Sequence, residues 1–578
     1  MIGGGPGGSA IATRLSQGLP WAQILLIEAG PAAPGEDRIN IPGRKGSTLG
    51  TTYDWNFTTI AQPGAKNRVF SVNRGKVLGG SSALNLMSWD RASAPEYDAW
   101  EDLGNPGWDW SSMIAAMKKA ETFTPSPHYG STGVGTTGPV KTVINRFIPA
   151  HQESWIPTMN SLGVPLNLES LGGNPLGVMY QPSNIDSANW NRSYAANGYL
   201  PQAGSNLQIL TGKRVVKINL KRSGRSRVAT GVTLQDGTVI KAWEEVVLSA
   251  GSIQSPGLLE LSGIGRSDVL AAAGVEQIID LPGVGENLQD HIRIQSSFQL
   301  KDNYTSFDIL RHNATYAAEQ LALWRAGQYS MYDYTGSGYT FLTWAKALGS
   351  GASTLLSLAQ SALGGTTPSS PIDQKKLSFL SNPAVPQLEV IFSDGYTGVK
   401  GYPAPTTPLY GKGFFSLIAA VMHPLSRGSV HIQTATATDN PKINPNYLSN
   451  EHDIQSAVEA IKYVRRIANT APMVDLWDAE YEPGLAAVPA TDNDAQWRDF
   501  VLNTTLSIFH PAGTCAMMPE NKGGVVSPAL IVYGTTNLRV VDASVMPVLV
   551  SGHIQTAVYG IAERAAEIMI GDCKKRRM

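Results

Sequence analysis

The residues best suited to chemistry are a glycine run at the start of the chain and nine histidines spread through 578 residues. Ile2-Gly3-Gly4-Gly5-Pro6-Gly7-Gly8 contains Gly3-x-Gly5-x-x-Gly8. Glycines at this spacing let backbone come close to a pyrophosphate, which sits at the positive N-terminus of the helix that follows. Glu28 stands 25 residues after Gly3. A carboxylate there accepts hydrogen bonds from ribose hydroxyls and argues against a 2′-phosphate. The histidines have an ordinary pKa suited to proton transfer near neutral pH. They show no His-x-x-x-His and no clustered Cys/His spacing, so nothing in the pattern suggests a metal.

These groups need elements to hold them. A helix is predicted over roughly 9–17, and the apolar run Ile24-Leu25-Leu26-Ile27 fits a buried parallel strand ending at Glu28. A βαβ unit also needs a strand before the glycines, and only Met1 and Ile2 stand there. We expect the reading frame to begin upstream of Met1, in sequence that would also have room for a signal peptide. This chain itself carries none, so a secreted ancestry is compatible with it but localisation is not assigned. A second Gly/Ser loop runs Arg74-Gly75-Lys76-Val77-Leu78-Gly79-Gly80-Ser81-Ser82-Ala83-Leu84-Asn85. Residues 246–256 read as strand, small-residue turn and helix start, continued over 258–265, and 281–291 is a glycine-punctuated loop. From about 295 to 502 strand-like runs (387–392, 414–422) alternate with Gly/Pro/Ser loops (349–353, 364–371), and a helix is predicted over 453–470. Near the end a short strand stops at Asp542, and 548–553 leads into a helix over 555–570.

The length implies at least two domains. A net charge of −1 points to neither nucleic acid nor an anionic membrane as partner. No window approaches the ~20 apolar residues of a membrane helix. Two cysteines define no disulfide framework, and Cys515 reads as packing. Five Asn-x-Ser/Thr sites, at Asn56, Asn191, Asn303, Asn313 and Asn503, are about what chance supplies.

Five segments, 3–28, 74–85, 251–265, 507–515 and 537–570, resemble in order those of the glucose–methanol–choline (GMC) oxidoreductases. Residues 74–85 are similar to the family's first signature, and Gly251-Ser252-Ile253-Gln254-Ser255-Pro256-Gly257-Leu258-Leu259 to its second. The resemblance implies an α/β (α+β) fold. A Rossmann-like FAD-binding domain would be assembled from 1–145, 205–293 and 505–578. A substrate domain with an antiparallel sheet and helices would occupy 146–204 and 294–504. It further implies that Gly3, Gly5, Gly8 and Glu28 hold the ADP half of FAD. Gly79, Gly80, Ser82 and Asn85 would lie along the flavin and its ribityl chain. The backbone of Val215 would meet the adenine, and Asp542 and Ala543 the pyrophosphate–ribityl region. His553, Ile554 and Thr556 would approach the flavin ring.

By the same resemblance, 507–515 presents the catalytic His510, with His553 as its partner across the substrate hydroxyl. Alcohol oxidation removes a hydroxyl proton and a hydride from one carbinol. His510 would take the proton while flavin N5 takes the hydride, and His553 would stabilise the developing alkoxide. The expected partners are a small-molecule alcohol and oxygen or another electron acceptor. The overall likeness is to the fungal aryl-alcohol and secondary-metabolite branches, so the expected substrate is a primary, aromatic or polyketide-derived alcohol. The aromatic stretch Tyr329, Met331, Tyr332, Tyr334, Tyr339, Phe341 and Trp344 reads as core or as a wall for such a ligand. His423 and His431 read as structural. Competing expectations are a flavin-binding cyclase or dehydratase without net redox, and an inactive flavin-binding remnant.

Overall fold

A computed structural model describes residues 1–491 and 494–577. Two sheets dominate it. The first is parallel and almost wholly apolar, as strands covered on both faces must be. Ile24–Ile27 pairs with Leu207–Leu210, and Val246–Leu248 with Leu538–Val540. Ile2 lies between the two pairs, in parallel bridges to Ile27 and Leu248. Its N–H donates to the Val247 carbonyl at 2.8 Å, and the Gly3 N–H donates to the Ile27 carbonyl at 2.8 Å. The two residues before the glycines therefore satisfy strand edges on both sides.

The helix after the glycines is Pro6–Gly18, longer at its start than the sequence suggests. Proline at the first helical position loses nothing, because that N–H has no intrahelical acceptor. Ala10, Ile11 and Leu15 bury one face. The helix packs on the last one, Gln555–Arg577, so closely that a Cβ on Gly18 would come within 2.3 Å of Ile570. Arg14 ties the pair through Glu563 at 2.8 Å, and the Tyr199 hydroxyl donates to the same carboxylate at 2.7 Å.

The second sheet is antiparallel, in the order Trp477–Glu482, Ile292–Leu300, Phe414–Val421, Leu388–Asp394, Gly338–Leu342, Gly177–Tyr180. Leu506–Ser507 adds to Ile292–Leu300, placing Leu506 opposite Arg293. Strand pleating divides the side chains between two faces. Ile292, Ile294, Val390, Phe392, Leu417 and Ala419 share a core with helix Glu451–Ala468. Asn450 caps that helix, its side chain accepting from the Asp453 N–H at 3.0 Å. On the opposite face the register aligns Glu389, Ala420 and Arg293 in one row, and Tyr339, Ile391, Ile418 and Gln295 in the next.

Between the two expected loops, 349–353 and 364–371, lies helix Ala352–Ala362, overlapping the first by two residues, with Leu355 and Ala359 buried. Its alanine and leucine content favours helix more strongly than the flanking glycines oppose it. Among the described residues no helix is long and apolar enough to cross a membrane.

Candidate active site and cofactor cavity

A cavity of about 540 Å³ runs from Gly3, Gly5 and Glu28 at the parallel sheet to His510 and His553 beneath the antiparallel sheet. Twelve of the fifteen expected site residues line it: Gly3, Gly5, Glu28, Gly80, Ser82, Asn85, Val215, His510, Asp542, Ala543, His553 and Ile554. Gly8, Gly79 and Thr556 are not among the lining residues. Gly8 is packed beneath the loop, where a Cβ would sit 1.9 Å from the Gly3 carbonyl oxygen. Gly79 adopts φ +99° under the Tyr194 ring, 2.6 Å from where a Cβ would be. The Thr556 hydroxyl is turned to the Asp90 carbonyl. All three shape the wall from behind.

At the Glu28 end the chemistry is set by backbone. The helix at Pro6 has Gly5 as N-cap with no side-chain cap, so the N–H groups of Gly7 and Gly8 have no intrahelical acceptor. Such a helix end attracts an anion. Glu28 is buried, and its two oxygens accept from the N–H groups of Gly4 (2.8 Å) and Gly30 (2.7 Å). Burial raises its pKa. Each oxygen keeps a further lone pair, which suits a diol. The set therefore fits the pyrophosphate and ribose of FAD. Asp542 contributes differently: one oxygen accepts from the Gly251 N–H and Ser255 hydroxyl, the other from the Ser544 N–H and hydroxyl. Its carboxylate is saturated and clamps strand end to helix start, leaving main chain to face the cavity.

At the other end two histidines stand with ring centroids 4.9 Å apart and planes nearly perpendicular. His510 follows Phe509, held at φ +67°. The His510 N–H donates to Asp290 at 2.8 Å, and Asp290 also accepts from Tyr447 (2.5 Å) and Ser507 (2.6 Å). His510 Nδ1 shares a hydrogen bond with His291 Nδ1 at 2.9 Å. Burial, then the neighbouring His553 and His291, push the His510 pKa well below the ordinary value. His291 is likewise pushed down by burial. The pair is neutral, and the shared proton fixes one ring's tautomer by the other's.

His553 precedes the last helix and has opposite neighbours. Its N–H and Nδ1 both reach the Asp90 carboxylate at 2.7 Å, and Glu389 lies 3.6 Å from Nδ1. Burial opposes its charge, but Asp90 and then Glu389 outweigh that and hold its pKa at about 9. Glu389 is fully buried and, among the described residues, neither of its oxygens has a hydrogen-bond partner; desolvation lifts its pKa to about 7 against the pull of His553. Oxygens of Asp90 and Glu389 and a ring nitrogen of His553 lie within 4.8 Å of one another. Asp90 spends both its oxygens on His553, which gives the group the geometry of a hydrogen-bonded ion pair.

Asp90, Asp290, His291 and Glu389 were not among the expected site residues. The glycine-punctuated loop ending at Asp290-His291 was a signal for two of them. Of the aromatic stretch only Tyr339 reaches the cavity. Met331, Tyr332, Tyr334, Phe341 and Trp344 are buried elsewhere, and Tyr329 is mostly exposed. His431 pairs with Glu260 (2.6 Å) and Glu286 (3.2 Å), and His423 faces Glu96 at 3.2 Å; neither lines the cavity. Cys515 is buried in the core.

The chain is also similar to known proteins. Family models described as GMC oxidoreductase match residues 6–293 and 424–562. A GMC oxidoreductase family protein of Malassezia sympodialis, Mala s 12, is 35% identical, over 99% of this chain and 92% of that protein. An FAD-dependent oxidoreductase from Chaetomium thermophilum superposes with a TM-score of 0.89 at 30% identity, covering 99% of each chain. A fungal aryl-alcohol oxidase does so with a TM-score of 0.84 at 29% identity, covering 99% of this chain and 98% of its own.

Proposed function

The chain belongs to the GMC oxidoreductase family, whose cofactor is FAD, and we propose that it oxidises a primary alcohol to an aldehyde with His510 as base and His553 as oxyanion partner. The observation that supports this most is the opposed surroundings of two adjacent histidines at the end of the cavity, a second histidine beside His510 and two carboxylates beside His553. A neutral imidazole can accept a proton and an imidazolium can donate a hydrogen bond, and alcohol oxidation needs both on one oxygen.

His510 Nε2 has no protein partner among the described residues and the ring lines the cavity. When His510 Nδ1–H donates to His291, Nε2 carries the lone pair and takes the hydroxyl proton. His553 donates through Nε2–H to the same oxygen and stabilises its developing negative charge, while Asp90 fixes the ring and Glu389 supports its charge. When bound, FAD supplies the acceptor for the carbinol hydride. Gly3, Gly5 and Glu28 are assigned to its ADP half, Val215 to its adenine, Asp542 and Ala543 to the pyrophosphate–ribityl region, and Gly80, Ser82, Asn85 and Ile554 to the flavin side. Gly8, Gly79 and Thr556 support them. The flavin-binding unit is then 1–145, 205–293 and 505–578, and the substrate unit is 146–204 and 294–504.

Leu86, Phe307, Tyr339, Ile391 and Ile418 give the substrate end an apolar lining. Such walls favour an aromatic alcohol, and the structural likeness to an aryl-alcohol oxidase supports that class. Oxygen or another acceptor completes the cycle. The test is visible absorbance of the purified flavoprotein under anaerobic addition of benzylic alcohols. Bleaching of the oxidised-flavin bands is expected in the wild type and not in His510→Ala. Equal bleaching in the variant removes His510 as base.

A further inference from the structure

The cavity holds a charge that alcohol oxidation does not use. Arg293 lies on the cavity face of the antiparallel sheet, in the row Glu389, Ala420, Arg293. Its Nε donates to the Ser507 carbonyl at 3.3 Å and its Nη1 to Gln295, both uncharged acceptors. Among the described residues it makes no ion pair, and Nη2 has no protein acceptor. Arg293 is half-buried, and burial alone lowers its pKa to about 10, with no carboxylate counteracting it. Its remaining accessible surface faces the cavity. Buried charges in proteins are ordinarily paired, because leaving one unpaired is costly.

The other charges lining this region are accounted for. Arg311 pairs with Asp308 at 3.2 Å, and Arg74 lies in the field of Asp290 and Asp54. Lys45 stacks on Tyr334; burial lowers its pKa to about 7, and the nearby Asp394 counteracts part of that. His553 has Asp90 and Glu389. Among the described residues at this end, Arg293 is the lining cation with no carboxylate beside it; at the nucleotide end Arg214 likewise has none. Arg293 belongs to the substrate end rather than the nucleotide end: it hydrogen-bonds the segment that carries His510. It also stands two strands from Glu389, roughly 10 Å at ordinary strand spacing, which leaves room for the apolar body of a small alcohol between its guanidinium and His553.

Resting on the alcohol-oxidising reading, we propose that Arg293 is a specificity residue, and that the substrate is an alcohol carrying a carboxylate at the end remote from its hydroxyl. A guanidinium with a free Nη2 edge binds a carboxylate by charge-assisted hydrogen bonds.

The holoenzyme is mixed anaerobically with 4-(hydroxymethyl)benzoate and with its methyl ester, and with 6-hydroxyhexanoate and its methyl ester, and flavin reduction is followed. In at least one pair the acid is expected to outperform the ester by roughly tenfold or more in reduction rate over dissociation constant. Arg293→Gln should erase that ratio and Arg293→Lys should keep part of it, with the flavin spectrum of each variant reporting its fold. Esters matching or beating acids in both pairs, or an acid-to-ester ratio unmoved in Arg293→Gln, overturns the proposal. Binding of 4-methylbenzoate, read from its perturbation of flavin absorbance, separates the two readings. If no alcohol reduces the flavin but the benzoate binds in an Arg293-dependent way, the alcohol reading fails and the anion site stands. If the benzoate binds no more weakly to Arg293→Gln than to wild type, the anion site fails.

Discussion

At the Glu28 end of the cavity the wall is main chain, with Gly3 and Gly7 where a Cβ would strike backbone and N–H groups turned inward. At the histidine end the wall is side chains, each polarised by a partner from a distant segment: Asp90 by 463 positions from His553, His291 by 219 from His510. The first end recognises a ligand by letting it come close. The second pushes two identical side chains in opposite directions: burial and neighbouring histidines lower the pKa of His510, while two carboxylates raise that of His553 against its burial. Closeness tolerates no added atom, whereas charge can be adjusted by degrees.

That contrast orders the expected effects. Gly8→Ala should be the most damaging, because its Cβ meets the Gly3 carbonyl at 1.9 Å and neither backbone can give way. The purified variant is expected to lack flavin absorbance; full flavin content would show that the Glu28 end is not built by closeness. His510→Ala should keep its flavin and lose roughly 10²–10⁴ in reduction rate, measured by stopped-flow absorbance.

The charge states come next. Because His553 titrates at about 9 and His510 well below its ordinary value, reduction in the wild type should be level through neutral pH. It should fall above about pH 9, as His553 loses the proton it donates. Asp90→Asn should move that alkaline limb down by roughly 1–3 pH units and slow the reaction at pH 7. A limb that stays at pH 9 would assign it to another group. Glu389→Gln should move the same limb down by less, with the rate at pH 6 within about threefold of wild type, since Glu389 is the more distant and itself half-neutral at pH 7. Equal shifts in the two variants would mean that both carboxylates, not chiefly Asp90, hold the charge.

The two ends also differ in how far the sequence reveals them. Gly3, Gly5, Gly8 and Glu28 lie within one local run whose spacing has a physical meaning, so that unit could be read directly. Helix ends such as Asp453 and Gln555 were legible to within a few residues. His510 and His553 were singled out through resemblance, but the groups around them were not, because no spacing connects Asp90 to His553 or Glu389 to either. The helix at Ala352–Ala362 was hidden by glycines on both sides. The aromatic run at 329–344 was ambiguous for a different reason: composition says that side chains are apolar, but only the strand register of Gly338–Leu342 decides that Tyr339 turns into the cavity.

The pleat of the antiparallel sheet has a consequence for how such a chain can change. Arg293, Ile391 and Ile418 point into the cavity, while Ile294, Val390 and Leu417, their alternating neighbours, build the core beneath helix Glu451–Ala468. Selection for a new ligand acts on one set of positions and selection for folding on the other. A lineage can therefore exchange one substrate for another by single replacements along these strands, drifting in specificity while the scaffold that aligns the two histidines stays unaltered.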